Sequence, residues 1–117
     1  MSNDWVRPVV HFEITSRNPE TLVPFYEAMF NWPVGEGFIR NFPAGIGGPE
    51  PGPAGHFRQS HQSGVTLFIQ VRSVTDSLKQ AEALGGAITM QPLQIPNGAM
   101  IAGISDPEGN PITLVQQ

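Results

Sequence analysis

Val9–Phe30 and Val65–Gly85 carry the same succession of hydrophobic and polar positions. Each opens with alternation of period two, which sets successive side chains on opposite faces of a strand. Each then passes through a short polar turn into apolar positions three and four apart, the stripe of an amphipathic helix. An offset of about 55 residues lays His11 on Thr66, Ile14 on Ile69 and Glu27-Ala28-Met29 on Glu82-Ala83-Leu84. The pattern predicts a duplicated β-α unit, each copy followed by further strands.

Taken in order, Pro8–Thr15 reads as a strand. Val9, Val10, Phe12 and Ile14 make it mostly buried, and His11 and Glu13 share the opposite face. Asn18, Pro19 and Glu20 supply an N-cap, a proline at the first helical position and an acid in the first turn. Leu22, Val23, Tyr26, Met29 and Phe30 form the expected buried side, and Asn31-Trp32-Pro33 ends the helix. Val34–Phe42 supplies one or two short strands with Gly35 and Gly37 as turn points. Pro43–Gly55 is too rich in glycine and proline for a continuous central strand. A short strand around Ala44–Gly48 followed by an open loop is expected, a mobile flap or a dimer contact. His56–Ser63 is polar, with His56 and His61 expected in solvent.

In the second copy, Val65, Leu67, Ile69 and Val71 alternate with Thr66, Phe68 and Gln70. Ser73 caps the next helix with Asp76 at the capping-box position. Val74, Leu78, Ala81 and Leu84 are its buried stripe, and Gly85-Gly86 its stop. Strands follow at Ala87–Gln91, Ala99–Ser105 and Ile112–Gln116. Asp106–Asn110 is a tight turn with proline and glycine at suitable places. The order β-α-β-β-β, twice, makes the chain α+β; two helices are too few for a doubly wound sheet.

Composition narrows the function classes. At 117 residues the chain is one domain able to bury a core. Its modules are read as about 8–60 and 61–117. The net charge is −4 and the six Lys and Arg residues are scattered, so nucleic acid is not an expected partner. There is no cysteine, which removes disulfides, zinc-thiolate centres and thiol nucleophiles. No apolar run approaches the ~18 residues of a membrane span. The N-terminus lacks a signal-peptide core. The expected location is cytoplasmic.

VVHFEI leading to PFYEAMFNW, the second strand-helix with AEALGG, and ISDPEGNPITLVQQ together resemble the vicinal oxygen chelate superfamily. That group includes glyoxalase I, extradiol dioxygenases and bleomycin-resistance proteins. The resemblance spans about residues 8–117 and implies two βαβββ modules curled into an open half-barrel cup, helices outside, often as a homodimer. Metal enzymes of the family hold a divalent ion through the first and fourth strands of each module. The resemblance puts those positions at His11, Thr66, Thr113 and somewhere in Ala44–Gly48. Only His11 is a good ligand type, and one donor does not hold a metal firmly. No cofactor is therefore expected. A divalent metal at His11 would need His56, His61 or Glu13 to reach it from unusual positions.

The expected cup lining is His11, Glu13, Thr66, Phe68, Gln70 and Thr113, an apolar-aromatic surface with a few polar groups suited to a medium-sized organic ligand. Metal-independent binding, as in the bleomycin-resistance branch, is the leading expectation. The alternative is a lyase, isomerase or hydrolase acting on a small carbonyl compound, with Glu13 or His11 as acid-base. A perturbed Glu13 with donors nearby favours catalysis; a dry cup without convergent polar groups favours binding alone. An accessory subunit meeting its partner through Pro43–Gly55 is the third.

Overall fold

A computed structural model describes residues 5–43 and 52–116. The short strand expected around Ala44–Gly48 lies outside them. The described elements run β1 (Val9–Ser16), α1 (Pro19–Phe30), β2 (Ile39–Phe42), β3 (Ala54–Gln59), β4 (Gly64–Gln70), α2 (Val74–Ala83), β5 (Ala87–Gln94), β6 (Met100–Ser105) and β7 (Pro111–Gln116). They fall into two compact units. One is His11–Thr66; the other joins the chain up to Val10 to everything from Leu67 onward.

In the first unit β3 lies between β1, which it pairs in parallel, and β2, which it pairs antiparallel. Parallel neighbours need a crossover, and α1 lies within that connection. Ile14, Val23, Phe42 and Phe57 form the core, with Phe12, Leu22, Tyr26, Trp32 and Val34 packed on it. Trp32 stacks on Phe42 at 4.4 Å between centroids, and Tyr26 meets Phe57 edge-on at 5.2 Å. Gly55 is required here: a Cβ would sit 2.5 Å from Phe42 Cζ and 2.8 Å from the Phe12 carbonyl oxygen.

The helix starts at Pro19 as the sequence predicts, but Asn18 does not cap it with its side chain. The Asn18 amide instead donates to Thr21 Oγ1 at 3.0 Å, and its backbone N–H donates to Ser16 Oγ. Asn31 closes the helix in the left-handed conformation at φ 59°. The expected buried face is narrower than its apolar pattern. Val23 is buried, whereas Phe25, Met29 and Phe30 are all more than half exposed. His56–Ser63 is corrected too. Its first residues belong to β3, and His56 is 8% exposed rather than solvated.

The second unit carries the order β4-β7-β6-β5, parallel at β4·β7 and antiparallel beyond. Val71, Val74, Leu78, Ala102 and Leu114 are its core. Ser73 Oγ accepts from the Asp76 N–H at 3.1 Å, the predicted cap. The helical stripe stops short of Leu84, which is 71% exposed at the C-cap. Gly85 then takes φ +96°, a conformation that ends helices and suits glycine. In the DPEGN turn, Asp106 Oδ1 accepts from the Glu108 and Asn110 N–H groups, and Gly109 sits at φ +88°. No described helix is long and apolar enough to cross a membrane.

Candidate functional site

Alternation along β1 and β3 separates two faces of the first unit. Phe12 and Ile14 turn to the helix and meet Phe57 and Phe42. On the other face the register sets His11 opposite Ala54, Glu13 opposite His56 and Thr15 opposite Arg58. Four titratable side chains thus converge from two adjacent strands.

They form a continuous hydrogen-bonded chain. Arg58 Nε donates to Glu13 Oε2 at 2.9 Å, and Nη2 donates to Oε1 at 3.2 Å, a two-point clamp. His56 Nε2 lies 2.7 Å from Glu13 Oε2, and His56 Nδ1 lies 2.8 Å from His11 Nε2. The rings of His11 and His56 are 5.0 Å apart and tilted by 33°.

The charge state follows from Glu13. Burial pushes its carboxyl up, but hydrogen bonds from His56 and Arg58 and their charges outweigh that and hold it at about 2. The carboxylate is therefore ionised at neutral pH and only accepts. His56 Nε2 carries the hydrogen of that contact. In a neutral His56 the other nitrogen, Nδ1, is then an acceptor, filled by His11 Nε2–H. The same tautomer leaves the lone pair of His11 on Nδ1. Burial chiefly, then the neighbouring His56, lowers the pKa of His11 below 6.5, and Glu13 opposes this. His11 is neutral at pH 7.

Glu13 is thus too weak a base to take a proton near neutrality. Its place is behind His56, where the carboxylate accepts from Nε2 and fixes the ring. The Glu13 contact also raises the pKa of Arg58, so the clamp stays charged.

The strand pairing relocates one position expected from the sequence. Glu13 corresponds to Phe68 in the internal repeat; the parallel partner of Phe68 is Thr113, and that of Glu13 is His56. The counterpart of Thr113 in the first module is therefore His56 on β3, not a residue of Ala44–Gly48. The metal positions read His11, His56, Thr66 and Thr113. Neutral threonine hydroxyls are poor ligands, and the facing nitrogens of the two histidines sit at the separation of a shared proton. Among the described residues no group of three His, Cys, Asp or Glu side chains is arranged to hold a metal ion. This donor set does not fit the divalent centre of the metal enzymes.

Of the six predicted lining residues, His11 and Glu13 are joined through His56, and Phe68 and Thr113 are partners across β4 and β7. Thr66 and Gln70 are half-buried on β4. The sequence reading missed His56 and Arg58 as site residues. A signal was present: placing Gln59 on Gln116 aligns HFRQ with TLVQ, which sets His56 on Thr113 and the buried Phe57 on the buried Leu114.

A family model described as a glyoxalase-like domain matches residues 11–115. No curated protein matches the chain. Among solved structures, a glyoxalase/bleomycin resistance protein/dioxygenase superfamily member from Vibrio splendidus 12B01 is 11% identical, with a TM-score of 0.66 over 96% of this chain and 100% of that one. A methylmalonyl-CoA epimerase in complex with methylmalonyl-CoA and NH4+ is 15% identical, with a TM-score of 0.61 over 97% and 96%. The methylmalonyl-CoA epimerase from Mycobacterium tuberculosis is 13% identical, with a TM-score of 0.61 over 92% and 85%. At these identities the likeness shows the fold alone.

Proposed function

We propose that this chain, which belongs to the glyoxalase-like domain family of the vicinal oxygen chelate superfamily, binds a medium-sized organic carbonyl compound without a resident metal and moves a proton on it. The observation that carries this reading is the Glu13–His56–His11 chain on the β1/β3 face.

His11 Nδ1 takes a proton from carbon next to the carbonyl, and the C–H electron pair moves to the carbonyl oxygen as the enolate forms. His11 Nε2–H passes its proton to His56 Nδ1, so the positive charge comes to rest beside the Glu13 carboxylate. Reversal returns a proton to carbon, giving an isomerisation in which no co-reactant is consumed. Such relays contribute on the order of 10²–10⁴-fold in rate. The epimerases among the structural neighbours support the reading by analogy only, since one fold hosts many chemistries. Thr66, Phe68, Gln70 and Thr113, all of the second module, are proposed as further ligand contacts. We also propose a homodimer, with the exposed Phe25, Met29 and Phe30 of α1 as a candidate contact.

The test is solvent deuterium exchange. Carbonyl compounds, including acyl thioesters, that stabilise the protein in a thermal-shift screen are incubated with it in D₂O and followed by proton NMR. The reading predicts loss of the α-proton signal with wild type and at least ~100-fold slower loss with His11→Ala. Ligands that bind without exchange would leave a binding protein of the bleomycin-resistance kind.

A further inference from the structure

Beyond the carboxyl ends of β1 and β3 lies a cleft of about 580 Å³, lined by Arg17, Phe38, Arg58, Gln59, Ser60 and His61. The volume is within the range of small-molecule sites, ~300–1,000 Å³. The chain as a whole is acidic, at −4, and has only six lysines and arginines; two of them line this cleft and no carboxylate does. Arg17 is exposed and makes no side-chain hydrogen bond or ion pair among the described residues. Arg58 spends Nε and one Nη2 hydrogen on Glu13, and its side chain remains 36% exposed. A guanidinium carries five N–H donors in a fixed fork, so three remain for the cleft. Phe38 adds an apolar surface that is 67% exposed.

An arginine without a partner, a second one held rigid by a carboxylate, hydroxyl and amide groups, and an open aromatic face together describe a receptor for an organic anion. We propose that this cleft is an anion subsite: Arg17 and Arg58 bind the carboxylate or phosphate of a ligand whose apolar part lies on Phe38. Because Arg58 also clamps Glu13, the residue that fixes the anion borders the residues that hold the proton relay. The subsite therefore rests on the proposed function for its purpose, and it narrows the substrate to a carbonyl compound bearing a negative group.

The test follows the Arg17 and Arg58 Nε–H resonances of the ¹⁵N-labelled full chain during titration with benzoate, phenyl phosphate and neutral benzamide. Benzoate or phenyl phosphate should shift both resonances, the tighter of the two naming a carboxylate or a phosphate source. Arg17→Ala should weaken that binding by about tenfold and Phe38→Ala by a smaller factor. Raising the salt should weaken it further, as for any exposed charge contact. Benzamide should cause no shift. Benzamide binding as well as benzoate, unchanged affinity in Arg17→Ala, or no shift with any probe would each overturn the subsite. The assay reads no proton transfer. Failure of deuterium exchange with this binding intact would therefore refute the relay chemistry and leave the subsite standing.

Discussion

Replacing Glu13 with glutamine removes one charge and keeps the shape, so it isolates the electrostatic role of the carboxylate. In the folded protein the group titrates at about 2 instead of the ordinary 4.5. At about 1.36 kcal/mol per unit of pKa, the ceiling on its ionised-state stabilisation is about 3 kcal/mol. Solvent screening on this partly accessible face reduces that to about 1–2 kcal/mol. The sign is fixed by the direction of the shift. A carboxyl depressed on folding contributes fully above its unfolded value of 4.5, and the contribution is lost as pH falls toward 2. Urea unfolding of wild type and Glu13→Gln should therefore differ by about 1–2 kcal/mol at pH 7. By pH 3 less than half of that gap should remain. Equal stabilities at pH 7, or a gap unchanged at pH 3, would refute the ionised clamp.

Other consequences are as specific. Phe57 is wholly buried among Ile14, Phe42 and Tyr26, and Phe57→Ala should cost about 3–5 kcal/mol in the same unfolding assay. Gly55→Ala drives a Cβ against Phe42 and the Phe12 carbonyl and should cost about 1–3 kcal/mol; a neutral result would disprove the close approach. Ser73→Ala removes the α2 cap and should lower stability by about 1 kcal/mol, with Ser73→Asn retaining most of it. His11, lowered on folding, should titrate below 6.5 by NMR and penalise the folded state as pH falls through 6.5. In Glu13→Gln its titration should move lower still, because the Glu13 charge raises it.

Much of the fold is legible in the chain because its signals are local. Pro19 and Glu20 start α1, Ser73 starts α2, Gly85 stops it, and DPEGN makes its turn where the residues demand it. What escapes local reading is decided by pairing between distant strands. His56 sits after a glycine- and proline-rich stretch and among polar neighbours, so its own surroundings suggest solvent. It is buried because β3 pairs with β1 in the one register that puts it beside Glu13. Arg58 becomes a site residue by the same alternation. Met29, Phe30 and Leu84 err in the opposite direction: their apolar side chains suit a buried stripe, yet each is more than half exposed. His11 and Glu13 are legible as candidates, but Glu13's place behind a histidine, as anchor and not base, depends on partners that sequence spacing does not display.

The most direct test of the relay is the tautomeric state of its two histidines, read from long-range ¹H–¹⁵N correlations of the imidazole rings at pH 7. The structure predicts a neutral His11 protonated on Nε2 toward His56, and a His56 that carries a hydrogen on Nε2 toward Glu13. A His56 protonated on Nδ1 alone, or a His11 imidazolium at that pH, would contradict it.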